Sequence, residues 1–195
     1  MNNGLEALKI EIAECRKCPL YQERMHTVPG NGAEDAPIML VGEGPGADED
    51  RQGVAFIGKA GQLLDKILAA CNFTREEHVF ICNIVKCRPP GNRVPEPSEM
   101  AACLPYLEQQ IELVDPLIII SLGATALRGL TGGSPKITKE RGNWQLLGKR
   151  LLMPTYHPAA LLRNPNLKKE TWEDFKAVIR KYREIVDPGH ECKYL

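Results

Sequence analysis

Four short apolar runs punctuate the chain: 37–42 (PIMLVG), 79–82 (VFIC), 116–122 (PLIIISL) and 151–154 (LLMP). Runs this short and this uniformly apolar read as strands buried on both faces. Between them lie stretches with helical spacing, near 3–15 (Leu5, Leu8, Ile10, Ile12, Ala13), 59–71 (Leu63, Leu64, Ile67, Leu68) and 98–114, with Ser98 as a candidate N-cap; a last amphipathic stretch spans about 170–186. Strand and helix in strict alternation predict an α/β fold: a parallel sheet covered by helices on both faces. With 195 residues the chain has room for one domain, expected over 1–187, and 188–195 reads as a flexible tail.

The unusual segments share one location. GEGPG (42–46), NIVKCRPP (83–90), SLGATAL (121–127) and TYHPAALL (155–162) each sit at the carboxyl end of an expected strand. Ligands of open α/β sheets bind at that edge. GEGPGADEDRQG reads as an irregular polar loop. It is no phosphate cradle: it has neither G-x-G-x-x-G nor G-K-[ST], and Glu43, Asp48, Glu49 and Asp50 would repel a phosphate.

Seven cysteines, at 15, 18, 71, 82, 87, 103 and 192, and a charged N-terminus unlike a secretory signal point to a reducing, cytoplasmic location rather than a disulfide framework. Cys15 and Cys18 form a C-x-x-C pair, Cys87 lies in a proline-rich loop, and Cys103 follows on a helix. Thiolates so spaced suit zinc or an iron–sulfur cluster, and spacing alone does not separate the two. Cys71 and Cys82 fall within apolar elements and read as core; Cys192 falls in the tail.

The formal net charge is zero, which excludes a strongly basic nucleic-acid-coating protein. It hides an asymmetry: residues 1–135 carry 12 basic and 18 acidic side chains, residues 136–195 carry 13 and 7. A basic C-terminal third suits a polyanion. No stretch reaches the roughly 20 apolar residues of a membrane span, so no membrane partner is expected.

Together, GEGPGADED with GVAFIGKAGQLLD, NIVKCRPPGNR and HPAALLRNP resemble the motifs of the family 4 uracil-DNA glycosylases, over about residues 5 to 186. The resemblance implies three α/β/α layers around a four-stranded parallel sheet. It implies a [4Fe-4S] cluster on Cys15, Cys18, Cys87 and Cys103. It also implies hydrolytic removal of uracil from DNA, leaving an abasic site and free uracil as product. Phe56 matches the family's stacking position for a flipped base. Asn83 matches the residue reading the pyrimidine edge, since a side-chain amide pairs with O4 and N3–H of uracil and mismatches cytosine. His157 matches the histidine near uracil O2, where a donor stabilises the departing anion. Glu49 resembles a wall residue excluding thymine, and the backbone of Gly42, Glu43 and Gly44 is placed to touch the base. Glu43 could stabilise a cationic sugar or orient water, a role left open among Glu43, Asp50, Asn92 and unassisted attack. Leu161 and Leu162 resemble the wedge that fills the vacated stack. Arg88, Asn92, Arg93 and Arg163 are candidate DNA contacts.

Competing readings are a non-catalytic iron–sulfur DNA-binding module on the same fold, and a zinc-stabilised enzyme acting on free nucleotides or nucleosides. A monomer is expected.

Overall fold

A computed structural model of the chain describes residues 3–195. The strands are β1 (Asn31–Gly32), β2 (Ile38–Gly42), β3 (Val79–Asn83), β4 (Ile118–Leu122), β5 (Gln145–Leu147) and β6 (Arg150–Thr155). The helices are α1 (Asn3–Glu14), α2 (Ala47–Gln52), α3 (Lys59–Ala70), α4 (Pro97–Val114), α5 (Ala124–Thr131), α6 (Ile137–Glu140), α7 (Pro158–Arg163) and α8 (Leu167–Ile185).

The sheet is six-stranded and mixed, in the order β1-β3-β2-β4-β6-β5. The four expected strands form its centre and pair in parallel. The expectation of four strands misses both edges, where β1 and β5 pair antiparallel. Those edges are two and three residues long and only partly buried, so they leave no apolar run to read. β2 lies between its successor β3 and the later β4, so the chain order reverses there. A doubly wound sheet opens a crevice at such a reversal.

Strand side chains alternate between two cores, as a period of two requires. Met39, Val41, Phe80 and Ile119 face Leu5, Leu8 and Ile12 of α1 and Tyr106, Leu107 and Ile111 of α4. Ile38, Leu40, Ile81 and Ile120 face Leu64 and Leu68 of α3 and Phe175, Val178 and Ile179 of α8. The structure is therefore an α/β fold with helices on both faces. No helix of the described residues is long and apolar enough to cross a membrane.

Three local expectations need correcting. The acidic loop holds a helix, α2, capped by Gly46 and ended by Gly53 at φ 72°. Asp48, Glu49 and Asp50 crowd its first turn, where the helix dipole favours negative charge. α4 starts one residue before Ser98: Glu96 is its N-cap and Pro97 its first residue, a position where the missing N–H costs nothing. The tail at 188–195 is anchored. His190 stacks on Phe73 at 4.8 Å and its Nε2 lies 2.8 Å from the Cys71 carbonyl oxygen, while Cys192 Sγ donates to Ala70 O at 3.3 Å.

Candidate active site

Register sets the parallel strands' ends level: Gly42 pairs with Asn83, and Leu122 with Thr155. A cleft of about 650 Å³ opens just past them. Its walls come from the loop after β2 (Glu43, Gly44), from Asn83 at the end of β3, from the turn into α5 (Gly123, Ala124), from the turn into α7 (His157, Ala160) and from Phe56.

Asn83 is fully buried, and its Oδ1 has no hydrogen-bond partner. A buried acceptor left unpaired costs about 1–3 kcal/mol, so a ligand that donates to it recovers that penalty. The neighbouring strand must stay bare: a Cβ on Gly42 would sit 2.4 Å from Asn83 Oδ1 and 2.6 Å from Phe56 Cζ.

Phe56 holds its backbone at φ 55°, the left-handed region. For a side chain this bulky that costs about 1–2 kcal/mol, and it persists only where the surroundings enforce it. Those surroundings are explicit. Asn31 Oδ1 accepts from Ala55 N at 2.9 Å; Glu49 Oε1 accepts from Ile57 N and Gly58 N at 2.9 and 2.8 Å. Arg75 donates Nη1 to Ala55 O at 2.9 Å and Nη2 to Phe56 O at 2.6 Å. Glu49 thus lines the cleft with its carboxylate already engaged, Oε2 also accepting from Gly46 N at 3.2 Å.

The imidazole of His157 lies 5.6 Å from the Phe56 ring, centroid to centroid, with 33° between the planes. His157 caps α7, its Nδ1 accepting from Ala159 N at 3.1 Å. A ring nitrogen that accepts carries no proton, so the neutral ring is protonated at Nε2 and donates there. Burial, helped by nearby Arg163 and opposed by Glu49, pushes its pKa down to about 4, so the ring is neutral near pH 7.

Among the candidate water activators, Glu43 lines the cleft, and its carboxylate has no hydrogen-bond or ion-pair partner among the described residues. Asn92 also lines it, accepting from Arg88 Nε at 2.8 Å. Asp50 does not: it is buried, with Oδ1 accepting from Met25 N at 3.0 Å.

Leu161 and Leu162 part company. Leu161 is 1% exposed and belongs to the interior, whereas Leu162 is 48% exposed. Arg163 lines the cleft. Arg93 forks onto Glu99 at 2.8 and 2.7 Å, and that pairing holds the Glu99 carboxyl below its ordinary range.

Cys15 and Cys18 follow α1, Cys87 follows β3 and Cys103 lies on α4. All four are free thiols packed in one apolar cluster. Burial pushes the thiols of Cys18 and Cys87 up, and that of Cys103 to about 11; the other thiols of the group add to each shift. Donors are already in place: Arg24 Nη1 to Cys87 Sγ at 3.1 Å and Lys86 N to Cys103 Sγ at 3.3 Å. Such donors suit thiolate ligands. Among the described residues, no three His, Cys, Asp or Glu side chains are set to grip a single metal ion. A four-iron cluster asks for a different arrangement, one thiolate at each iron.

Sequence reasoning missed Lys86, which is fully buried and donates Nζ to Asn83 O at 2.7 Å and to Gln110 Oε1 at 2.6 Å. It also missed Arg75. Neither has a local signature: apart from Asn83, three residues before Lys86, their partners are distant in sequence.

The carboxyl edge of the sheet thus brings together an amide with an unpaired buried oxygen, a phenylalanine at positive φ and a neutral imidazole. The family described as Uracil DNA glycosylase superfamily matches residues 29–176, and the chain belongs to that superfamily. It is 45% identical to the Type-4 uracil-DNA glycosylase of Sulfurisphaera tokodaii over 184 residues, 90% of this chain and 84% of the relative. It is 45% identical to that of Thermotoga maritima over 88% of this chain and 91% of the relative. Identity to a Type-5 uracil-DNA glycosylase of Pyrobaculum aerophilum is 31%, over 83% of this chain and 76% of the relative.

Proposed function

We propose that the chain is a DNA repair glycosylase that receives a flipped uracil in this cleft and hydrolyses its N-glycosidic bond. The observation that carries the reading is the orphaned, buried Oδ1 of Asn83 beside Phe56 and His157. Uracil N3–H donates to that oxygen, and the amide nitrogen donates to O4. Cytosine offers an acceptor and a donor in the opposite places, so both contacts fail. The base stacks on Phe56.

His157 Nε2–H donates to uracil O2. As the bond to N1 breaks, its electron pair passes to uracil, and the donor stabilises the charge that grows on O2. Glu43, with no partner of its own, faces the cation-like sugar and orients the water that adds to C1′. The products are an abasic site and free uracil. Leu162, rather than Leu161, fills the gap in the stack, while Arg163 and Arg88 meet phosphates.

Cys15, Cys18, Cys87 and Cys103 suit a [4Fe-4S] cluster: four free thiols in one cluster of the fold, two already receiving hydrogen bonds. When bound, the cluster supplies a structural cross-link and no step of a hydrolysis, which transfers no electron. Cys87 stands four residues from Asn83, so the cross-link steadies the segment between thiol and amide.

The test incubates anaerobically purified protein with a uracil-containing oligonucleotide and, in parallel, its thymine counterpart. Abasic product from uracil alone is expected. DNA binding without excision by cluster-loaded protein would replace the reading with that of a binding module, which gives the unpartnered Asn83 and Glu43 no task.

A further inference from the structure

We propose that Arg75 is the positioning residue that holds Phe56 in its base-stacking conformation. The inference rests on the stacking reading above and extends it to a residue outside the cleft wall. Ala55 and Phe56 belong to neither helix nor strand, so their carbonyls have no ladder partners. Arg75 answers two of them at once: its guanidinium forks onto Ala55 O and Phe56 O, on the two sides of the strained residue. Nε of the same group donates to Asp65 Oδ1 at 2.8 Å, which anchors the fork to α3. From the other side α3 closes on the same carbonyl, since a Cβ on Gly61 would stand 1.9 Å from Phe56 O. Phe56 O is thus held between a bare helix turn and a guanidinium.

The geometry explains why arginine serves here. Two carbonyls and a carboxylate are met by one planar group whose donors are fixed in direction. Lysine brings one ammonium on a flexible stem and cannot reproduce the fork. With the fork lost, the positive φ of Phe56 has less to enforce it, and the ring leaves the plane a base needs. Arg75 is partly buried and does not line the cleft, so it acts through Phe56 and not on substrate.

A double-mutant cycle tests this. Single-turnover uracil excision and inhibition by free uracil are measured for the wild type, Arg75→Lys, Phe56→Ala and the double variant. Arg75→Lys is expected to lose about tenfold, the size of effect expected from a charged hydrogen bond. In the Phe56→Ala background the same change is expected to cost nothing more. An equal loss in both backgrounds, or no loss in either, overturns the proposal. Phe56→Ala excising like the wild type takes down the stacking reading itself, and this proposal with it. A Phe56→Ala loss beside fully active Arg75→Lys takes down this proposal alone. Should Arg75→Lys fail to fold, Asp65→Asn, at an exposed carboxylate, runs through the same cycle. Loss confined to the Phe56 background supports the proposal, and any other pattern overturns it.

Discussion

The backbone N–H of Ala159 donates to Nδ1 of His157 at 3.1 Å, and this one bond decides which ring nitrogen carries the proton. Protonating the ring would turn Nδ1 into a donor and break the bond. Burial, with Arg163 nearby, works in the same direction and lowers the pKa to about 4 from an ordinary 6.5. Single-turnover excision is therefore expected to show no His157 limb near 6.5 and to fall as pH drops through about 4. An inflection near 6.5 that His157→Gln removes would contradict the assignment. Stability follows the same group. Between 4 and 6.5 the unfolded chain holds a proton here that the folded chain does not, so stability rises with pH across that window. Denaturant titrations should find that slope smaller by about one proton in His157→Gln.

Gly42→Ala separates binding from folding. Its Cβ would strike Asn83 Oδ1 and Phe56, both side-chain atoms at the cleft and neither part of the sheet backbone. Excision and inhibition by free uracil should both fall by about tenfold or more, a loss of the order expected when one buried polar contact fails. The melting temperature should change little. A large drop in melting temperature with intact excision would place Gly42 in the core and not at the base.

Much of this was legible in the sequence, for reasons that differ by element. β4 announces itself because Ile118–Leu122 is buried on both faces and so apolar at every position but Ser121. β1 and β5 do not, because two or three partly exposed residues carry no period. Asn83 and His157 stand in unusual segments at strand ends, Phe56 is legible only through the resemblance that GVAFIGKAGQLLD carries, and all three line one cleft. Glu49 reads as a wall and turns out to bind three backbone N–H groups. Lys86 and Arg75 are invisible, since Gln110 for the one and Ala55, Phe56 and Asp65 for the other are brought to them only by the fold.

Leu161 and Leu162 give the sharpest instance, and a test. They are neighbours in a six-residue helix too short to show a period, yet one is buried and the other exposed. Leu162→Ala should slow excision from duplex DNA far more than from single strands, where no stack needs filling. Leu161→Ala should instead cost about 2–5 kcal/mol of stability, the range for emptying a buried leucine. Chemical denaturation of both variants, beside excision from paired and unpaired substrates, separates the two roles. Equal strand dependence in the two variants would remove Leu162 from the DNA interface.

The cysteines divide into two groups by surroundings. Cys71 is sealed in the α3 core, where burial drives its thiol well above the ordinary range and a carbonyl-bound Cys192 is its neighbour. Cys87 is buried too, but Arg24 donates to its sulfur, and that donor opposes the rise. A donor aimed at sulfur favours thiolate, the form that binds iron. Cys87→Ala should therefore purify with little iron and lose the visible absorption of a cluster, while Cys71→Ala should keep both. On the proposed reading the cross-link steadies the segment running back to Asn83, so iron loss should weaken DNA binding before it slows the bond-breaking step under single-turnover conditions at saturating protein. Iron analysis, absorption spectra and DNA titration of the two variants check this. Full iron content in Cys87→Ala would show that the cluster does not use Cys87 and would separate the thiol group from the DNA-facing loop.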